Sequence, residues 1–217
     1  MKGLFILSTF FTSVASQAQI STSYDLPQLF KENGIEVYNR DLNLVKEKNY
    51  PGIHMSEARG EGIAWIKEQD FSEGIIELDI RGKDEKQHSF VGIAFHAQND
   101  STFDAIYLRP FQFREQDETL RRRSIQYISL PKYTWRVLRA SDPGKYENAI
   151  DPAPDPNEWV HVRLEIKNGQ VSVFINSNNQ PSLVVHKLTD VKKGMIGFYV
   201  ADISGGDFAN LTITKLN

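Results

Sequence analysis

Between Gly74 and Arg81 apolar and polar side chains alternate, with Ile76, Leu78 and Ile80 at one parity and Glu77 and Asp79 at the other. Successive side chains of a strand point to opposite faces, so the stretch predicts a half-buried β-strand carrying two acids side by side. Similar alternating or β-rich runs recur over residues 35–39, 53–56, 62–66, 90–96, 103–109, 124–129, 135–139, 159–167, 170–176, 182–188, 195–201 and 209–215. No segment keeps a 3.6-residue apolar period for three turns, so helices are expected to be minor. Residues 21–30 read as a loosely held lead-in, with Pro27 blocking regular pairing.

Turn chemistry separates the runs. Asn168-Gly169 lies between two alternating segments, and both positions tolerate positive φ, which predicts a two-residue hairpin. Lys193-Gly194 and Ser204-Gly205-Gly206 mark further turns, while Asp151-Pro152-Ala153-Pro154-Asp155-Pro156 must be an extended loop. Many short strands and few helices imply an all-β fold: two antiparallel sheets packed as a jelly-roll sandwich.

A chain of 217 residues can bury one sizeable core. The first residues carry Lys2, an apolar run from Leu4 to Phe11 and small residues ending at Ala18, the pattern of an export signal over residues 1–18. The expected arrangement is therefore a signal peptide (1–18) and a single jelly-roll domain (19–217), exported to a bacterial periplasm or exterior. The apolar run is too short to span a bilayer. The net charge of −3 gives no footing for nucleic acid. Arg121-Arg122-Arg123 is the one basic cluster, read as either a solvated loop or a site for an anionic ligand. With no Cys, the chain has no disulfide, no thiol nucleophile and no Cys-ligated zinc.

The second half carries a phrase of strand cores and turns: Glu158-Trp159-Val160-His161-Val162-Arg163-Leu164-Glu165-Ile166, the hairpin, Val171 to Asn176, then Gly194-Met195-Ile196-Gly197-Phe198-Tyr199 and Gly206-Asp207-Phe208-Ala209-Asn210. With Phe71 to Ile80 upstream, it resembles the concanavalin A-like lectin/glucanase superfamily, and within it the laminin-G-like jelly rolls and bacterial domains associated with 3-keto-disaccharide hydrolysis. The resemblance implies a two-sheet sandwich whose concave face, in many members, holds sugar. Function must still be argued from the site.

Glu77 and Asp79 match the first two acids of the E-x-D-x-x-E or E-x-D-x-E phrase of family 16 glucanases, but Arg81 and Gly82 stand where the final acid should be. A retaining glycosidase needs two carboxyls about 5 to 5.5 Å apart, and same-face strand neighbours have Cα atoms roughly 6.6 Å apart. The pair could meet, yet the acid is missing. Glu77 and Asp79 are read as a polar edge of a sugar cleft, with His96 as a further catalytic candidate.

The ligand-binding candidates are Tyr107, Arg109, Gln126, Trp135 and Arg139. Tyr107 and Arg109 share a strand parity, offering an aromatic beside a forked permanent donor. Gly92 and Ala94 are read on the His96 face, leaving room above it. Trp135 and Arg139 are placed at the rim or, alternatively, Trp135 in the core; Trp159, just before an alternating strand, is read as core. The five His residues lack H-x-H or H-E-x-x-H spacing, so zinc is unsupported. The resemblance allows a structural calcium with Asp207 as an oxygen donor, a turn-forming aspartate being the alternative. The expected partner is a carbohydrate or keto-sugar. The readings left open are a binding module, a 3-keto-glycoside hydrolase or lyase, and a structural or protein-interaction domain.

Overall fold

The computed structural model describes residues 20–216, and the expected signal segment lies outside them. In chain order the elements are β1 (Ile20–Ser23), α1 (Leu26–Lys31), β2 (Ile35–Tyr38), β3 (Leu42–Glu47), β4 (Tyr50–Ala58), β5 (Gly62–Phe71), β6 (Gly74–Arg81), β7 (Val91–Asn99), β8 (Thr102–Leu108), α2 (Glu118–Arg121), β9 (Ile125–Leu130), α3 (Trp135–Ser141), β10 (Glu147–Asn148), β11 (Val160–Lys167), β12 (Gln170–Ile175), β13 (Leu183–His186), β14 (Gly194–Val200) and β15 (Ser204–Lys215). A short 3-10 turn over Pro110–Gln112 follows β8.

The strands form two antiparallel sheets, so the jelly-roll sandwich holds. One, the back sheet, has the order β13-β12-β11-β6-β15-β4-β3, with β1 also on β15; the other, the front sheet, runs β10-β9-β8-β7-β14-β5-β2. On β6 the inward Ile76, Leu78 and Ile80 are fully buried while Glu77, Asp79 and Arg81 are half-buried on the far side, as the alternation predicts. The sheets meet through contacts such as Phe198 of β14 on Phe208 of β15, ring centroids 4.9 Å apart. The Asn168-Gly169 hairpin forms as expected: Lys167 pairs with Gln170, and both turn residues have positive φ, 51° and 74°.

Two expectations need correction. The lead-in is ordered: β1 pairs with β15, and Pro27 sits in the first turn of α1, where its missing N–H costs nothing and Asp25 caps the helix by accepting from Gln28 N. The run Trp135 to Arg139 is helix α3 and not a strand. Thr134 caps it by accepting from Val137 N, and one buried side chain, Leu138, anchors it. A cap dictates so short a helix, and apolar period cannot reveal it. The edge strand β3 carried no sequence signal strong enough to be read.

Candidate functional site

The outer face of the front sheet is built around a gap in its side chains. Gly92 of β7 pairs with Tyr107 of β8 on one side and Tyr199 of β14 on the other. A Cβ at Gly92 would lie 2.0 Å from Ile106 O and 2.6 Å from Tyr107 Cα. Only glycine fits, and the two tyrosine rings close to 5.9 Å over it. Paired residues share a face, so these rings floor a cavity of about 520 Å³.

At one end of the floor Tyr199 donates its hydroxyl to Glu61. Glu61 stands just ahead of β5 between Gly60, whose φ is 79°, and Gly62, where a Cβ would strike the Arg40 side chain. Arg40 clamps this corner by donating to Gly60 O at 2.7 Å and to Ala201 O at 3.1 Å. Burial pushes the Glu61 carboxyl above the usual carboxylate range, and the Tyr199 hydroxyl and Arg40 only partly offset it. An acid of this kind lining a cavity suits proton transfer.

At the other end Arg109 Nη2 donates to the Tyr107 hydroxyl at 2.7 Å and to Gln126 Oε1 at 3.2 Å, while Nη1 donates to Arg123 O at 2.6 Å. Arg109 is 4 % exposed, and burial lowers its pKa. Glu147 of β10 lies 3.9 Å from Arg109 but is gripped by Arg139 of α3, whose Nε and Nη2 reach its two oxygens at 3.0 and 2.6 Å. Trp135, 41 % exposed, stands at the rim with Arg139 over its ring at 4.9 Å. The site is thus polarised: an acid end and a guanidinium end with two phenols between.

The structure brings Tyr107, Arg109, Trp135 and Arg139 together around this cavity. Tyr107 is buried, with Arg109 and Tyr199 against its ring, so Trp135 is the exposed aromatic and not Tyr107. Gln126 is buried behind Arg109, its amide donating to Tyr146 O at 3.0 Å, and holds Arg109 in place. Trp135 is a rim residue, whereas Trp159 is a correction: it is half-buried outside the core, stacked on Tyr50 at 4.7 Å and bonded to Glu47.

Glu77 and Asp79 are a second correction. They lie on the outer face of the back sheet, away from the cavity, because β6 belongs to that sheet. Asp79 accepts from His161 Nδ1 at 2.8 Å and Asn210 Nδ2 at 2.6 Å; burial would raise its pKa, but these two partners outweigh it and hold the carboxyl low. Glu77 stands on the other side of the same imidazole, 3.8 Å from His161 Nε2, so the two acids flank a histidine on the back sheet and not the cavity.

His96 is a third. It sits at a bulge with φ 53°, and the register of β7 slips beyond Phe95, so it leaves the face of Gly92 and Ala94. Its Nε2 donates to Ser72 O at 2.6 Å and its Nδ1 accepts from Lys187 Nζ at 2.5 Å. Lys187 also pairs with buried Asp104 Oδ2 at 3.0 Å and donates to Val191 O, although Asp104 Oδ2 accepts no hydrogen bond among the described residues. Tyr127 donates to Asp104 at 2.8 Å. This buried cluster ties the 187–191 segment to the front sheet and borders a second cavity, apart from Tyr107 and Arg109.

Calcium does not fit Asp207. Its Oδ1 accepts from His54 at 2.6 Å and its Oδ2 from Arg81 at 2.7 and 2.9 Å, so a calcium ion would have to displace the Arg81 guanidinium and the His54 hydrogen bond. No group of three or more metal-ligating side chains exists among the described residues.

Sequence reading missed Glu61, Tyr199 and Glu147. The sequence signal for Glu61 is an acid between two glycines at a strand start, which reads equally as a turn. No helix among the described residues is long and apolar enough to cross a membrane.

No curated protein matches the chain. Among solved structures, the carbohydrate-binding module CBM66 from Bacillus subtilis is similar at 13 % identity and TM-score 0.55, covering 84 % of this chain and 92 % of that one. A putative glycosyl hydrolase from Parabacteroides distasonis aligns at 12 % and 0.52, covering 85 % and 89 %. The exoplasmic domain of VIP36 in its Ca²⁺/Man3GlcNAc-bound form aligns at 13 % and 0.56, covering 90 % and 88 %. At these identities the likeness establishes the jelly-roll fold. The model of one family, however, matches residues 30–214 and so takes in both sheets and every residue of the cavity, which makes this chain a member of the 3-keto-alpha-glucoside-1,2-lyase-like domain family.

Proposed function

We propose that the front-sheet cavity binds a carbohydrate. The observation that carries this reading is the polarised floor, Glu61 and Tyr199 facing Tyr107 and Arg109, beneath an exposed Trp135. A concave site of this size with a few directed polar groups and one open aromatic suits a sugar, whose hydroxyls need donors and acceptors and whose C–H face needs an apolar plane. Calorimetry against glucose-based disaccharides tests it: saturable binding that Trp135→Ala weakens about tenfold or more supports the reading, and no binding to any saccharide overturns it.

The Glu61 carboxyl favours a second, finer reading, elimination from a 3-keto-glucoside. The ketone at C3 acidifies the C2 proton. Glu61 takes that proton, the electron pair forms an enolate whose oxygen lies towards the Arg109 end, and the C1–O bond breaks with its pair on the departing oxygen. Glu61 returns the proton to that oxygen, so no co-reactant is needed. Turnover of a 3-keto-glucoside, followed by the ultraviolet absorbance of the enone product, should be lost in Glu61→Gln while binding persists; full turnover in that variant removes the reading. Export rests on residues 1–18 and is tested by N-terminal sequencing of protein recovered outside the cytoplasm.

A further inference from the structure

We propose that the guanidinium end of the cavity receives an anionic substituent, a carboxylate or a sulfate ester, so that the preferred ligand is an acidic saccharide. The inference rests on the reading of this cavity as a sugar site and adds the ligand's charge class.

Arg109, Arg123 and Arg139 all line the cavity, and Arg109 lies close enough to the other two to feel both charges. One carboxylate, Glu147, serves the three. Arg139 occupies both of its oxygens. Arg109 reaches it only at 3.9 Å and otherwise donates to neutral oxygens. The Arg123 side chain makes no ion pair or hydrogen bond among the described residues, although its backbone carbonyl is fixed by Arg109. The cluster Arg121-Arg122-Arg123 is thereby divided. Arg121 closes α2 and donates to Glu115 O, Arg122 is exposed, and Arg123 alone reaches the cavity wall.

The cavity's own acids do not compensate. Glu61 is engaged by Tyr199, and Asp202 accepts from Gly60 N at 2.7 Å. Both belong to the β14–β5 side, and β14 stands two strands from β8, about 10 Å away. Arg109 alone of the three is buried, and a buried cation without a matched counter-charge is costly; half-exposed Arg123 keeps its guanidinium fork free to meet a carboxylate or sulfate through two parallel hydrogen bonds. An anion on the sugar would complete this wall, whereas a neutral sugar would leave it under-compensated.

The test is calorimetry at low salt with three probes: cellobiose, its analogue bearing a glucuronate at the non-reducing end, and 6-sulfated cellobiose. At least one acidic probe should bind about tenfold or more tighter than cellobiose, with the advantage shrinking as salt is raised. The acid that gains more identifies the substituent. Arg123→Gln should bring the acidic-to-neutral affinity ratio close to one, while Arg122→Gln, the same charge change outside the cavity, should leave the ratio at the wild-type value. Equal binding of all three probes, or an unchanged ratio in Arg123→Gln, overturns the inference while sparing the sugar reading; no binding of any probe overturns both.

Discussion

The rings of Tyr107 and Tyr199 stand 5.9 Å apart at 55°, on strands separated by β7, because Gly92 places nothing between them. Adding a methyl there forces a carbonyl and a Cα aside. Gly92→Ala is therefore expected to cost about 1–3 kcal/mol, the usual range for overpacking, read as a lower urea midpoint with an unchanged m-value. Sugar affinity should fall with it, because the floor would part. A variant as stable as the parent would contradict the packing described.

Glu61 sets a pH dependence whose sign follows from burial. Its folded-state pKa is raised, so its contribution to stability is present below the unfolded value of about 4.3 and is lost as pH rises through the folded value. Against the parent, Glu61→Gln should be near-equal in stability at pH 4 and relatively more stable at pH 8. Thermal melts across that window check it; an unchanged difference at both ends would mean that Glu61 is not held in the buried state described.

Arg109 is both a binding group and a structural one. Arg109→Ala leaves the Tyr107 hydroxyl, Gln126 Oε1 and Arg123 O without their donor, and the expected loss is about 3–5 kcal/mol, as for breaking a buried charged cluster. Arg109→Lys keeps the charge but not the fork. It should recover part of the stability and little of the sugar affinity, and melts paired with calorimetry separate the two effects.

Asp79 serves His161. The hydrogen bond from His161 to Asp79 raises the imidazole pKa despite some burial. For a raised histidine the stabilisation is present below the unfolded value and lost as pH climbs through the folded one, whereas the lowered Asp79 contributes only above its unfolded value. The stability difference between the parent and Asp79→Asn should therefore peak between about pH 4 and 6.5, and NMR titration should show His161 returning towards its ordinary pKa in the variant. Glu77→Gln, on the same outward face, should leave sugar affinity unchanged; a large loss would move the site to the back sheet.

Much of the architecture was legible because burial is one-sided where the alternation is clean. β6 and β11 each show one buried and one wetter face, so period two fixed both their existence and their direction. The front sheet was harder. β8 is buried on both faces, one by the core and one at the floor of the cavity, so its pattern cannot say which side holds ligand. At His96 a single residue with positive φ reversed the parity on which its assignment depended. Arg109 and Trp135 were found because their chemistry is distinctive. Glu61 was not, because a lone acid between glycines looks like a turn until Tyr199, remote in sequence, closes on it.

The three tryptophans report on different places: Trp135 on the cavity rim, Trp159 outside the core beside Arg81, and Trp65 buried with its indole on Asp100. Their indole N–H signals in a two-dimensional NMR spectrum, assigned by single Trp→Phe variants, can be followed while a binding saccharide is titrated in. A sugar seated in the front-sheet cavity should shift the Trp135 signal progressively and leave Trp159 and Trp65 in place. Movement of Trp159 with Trp135 unmoved would contradict the central claim and put the ligand on the opposite sheet.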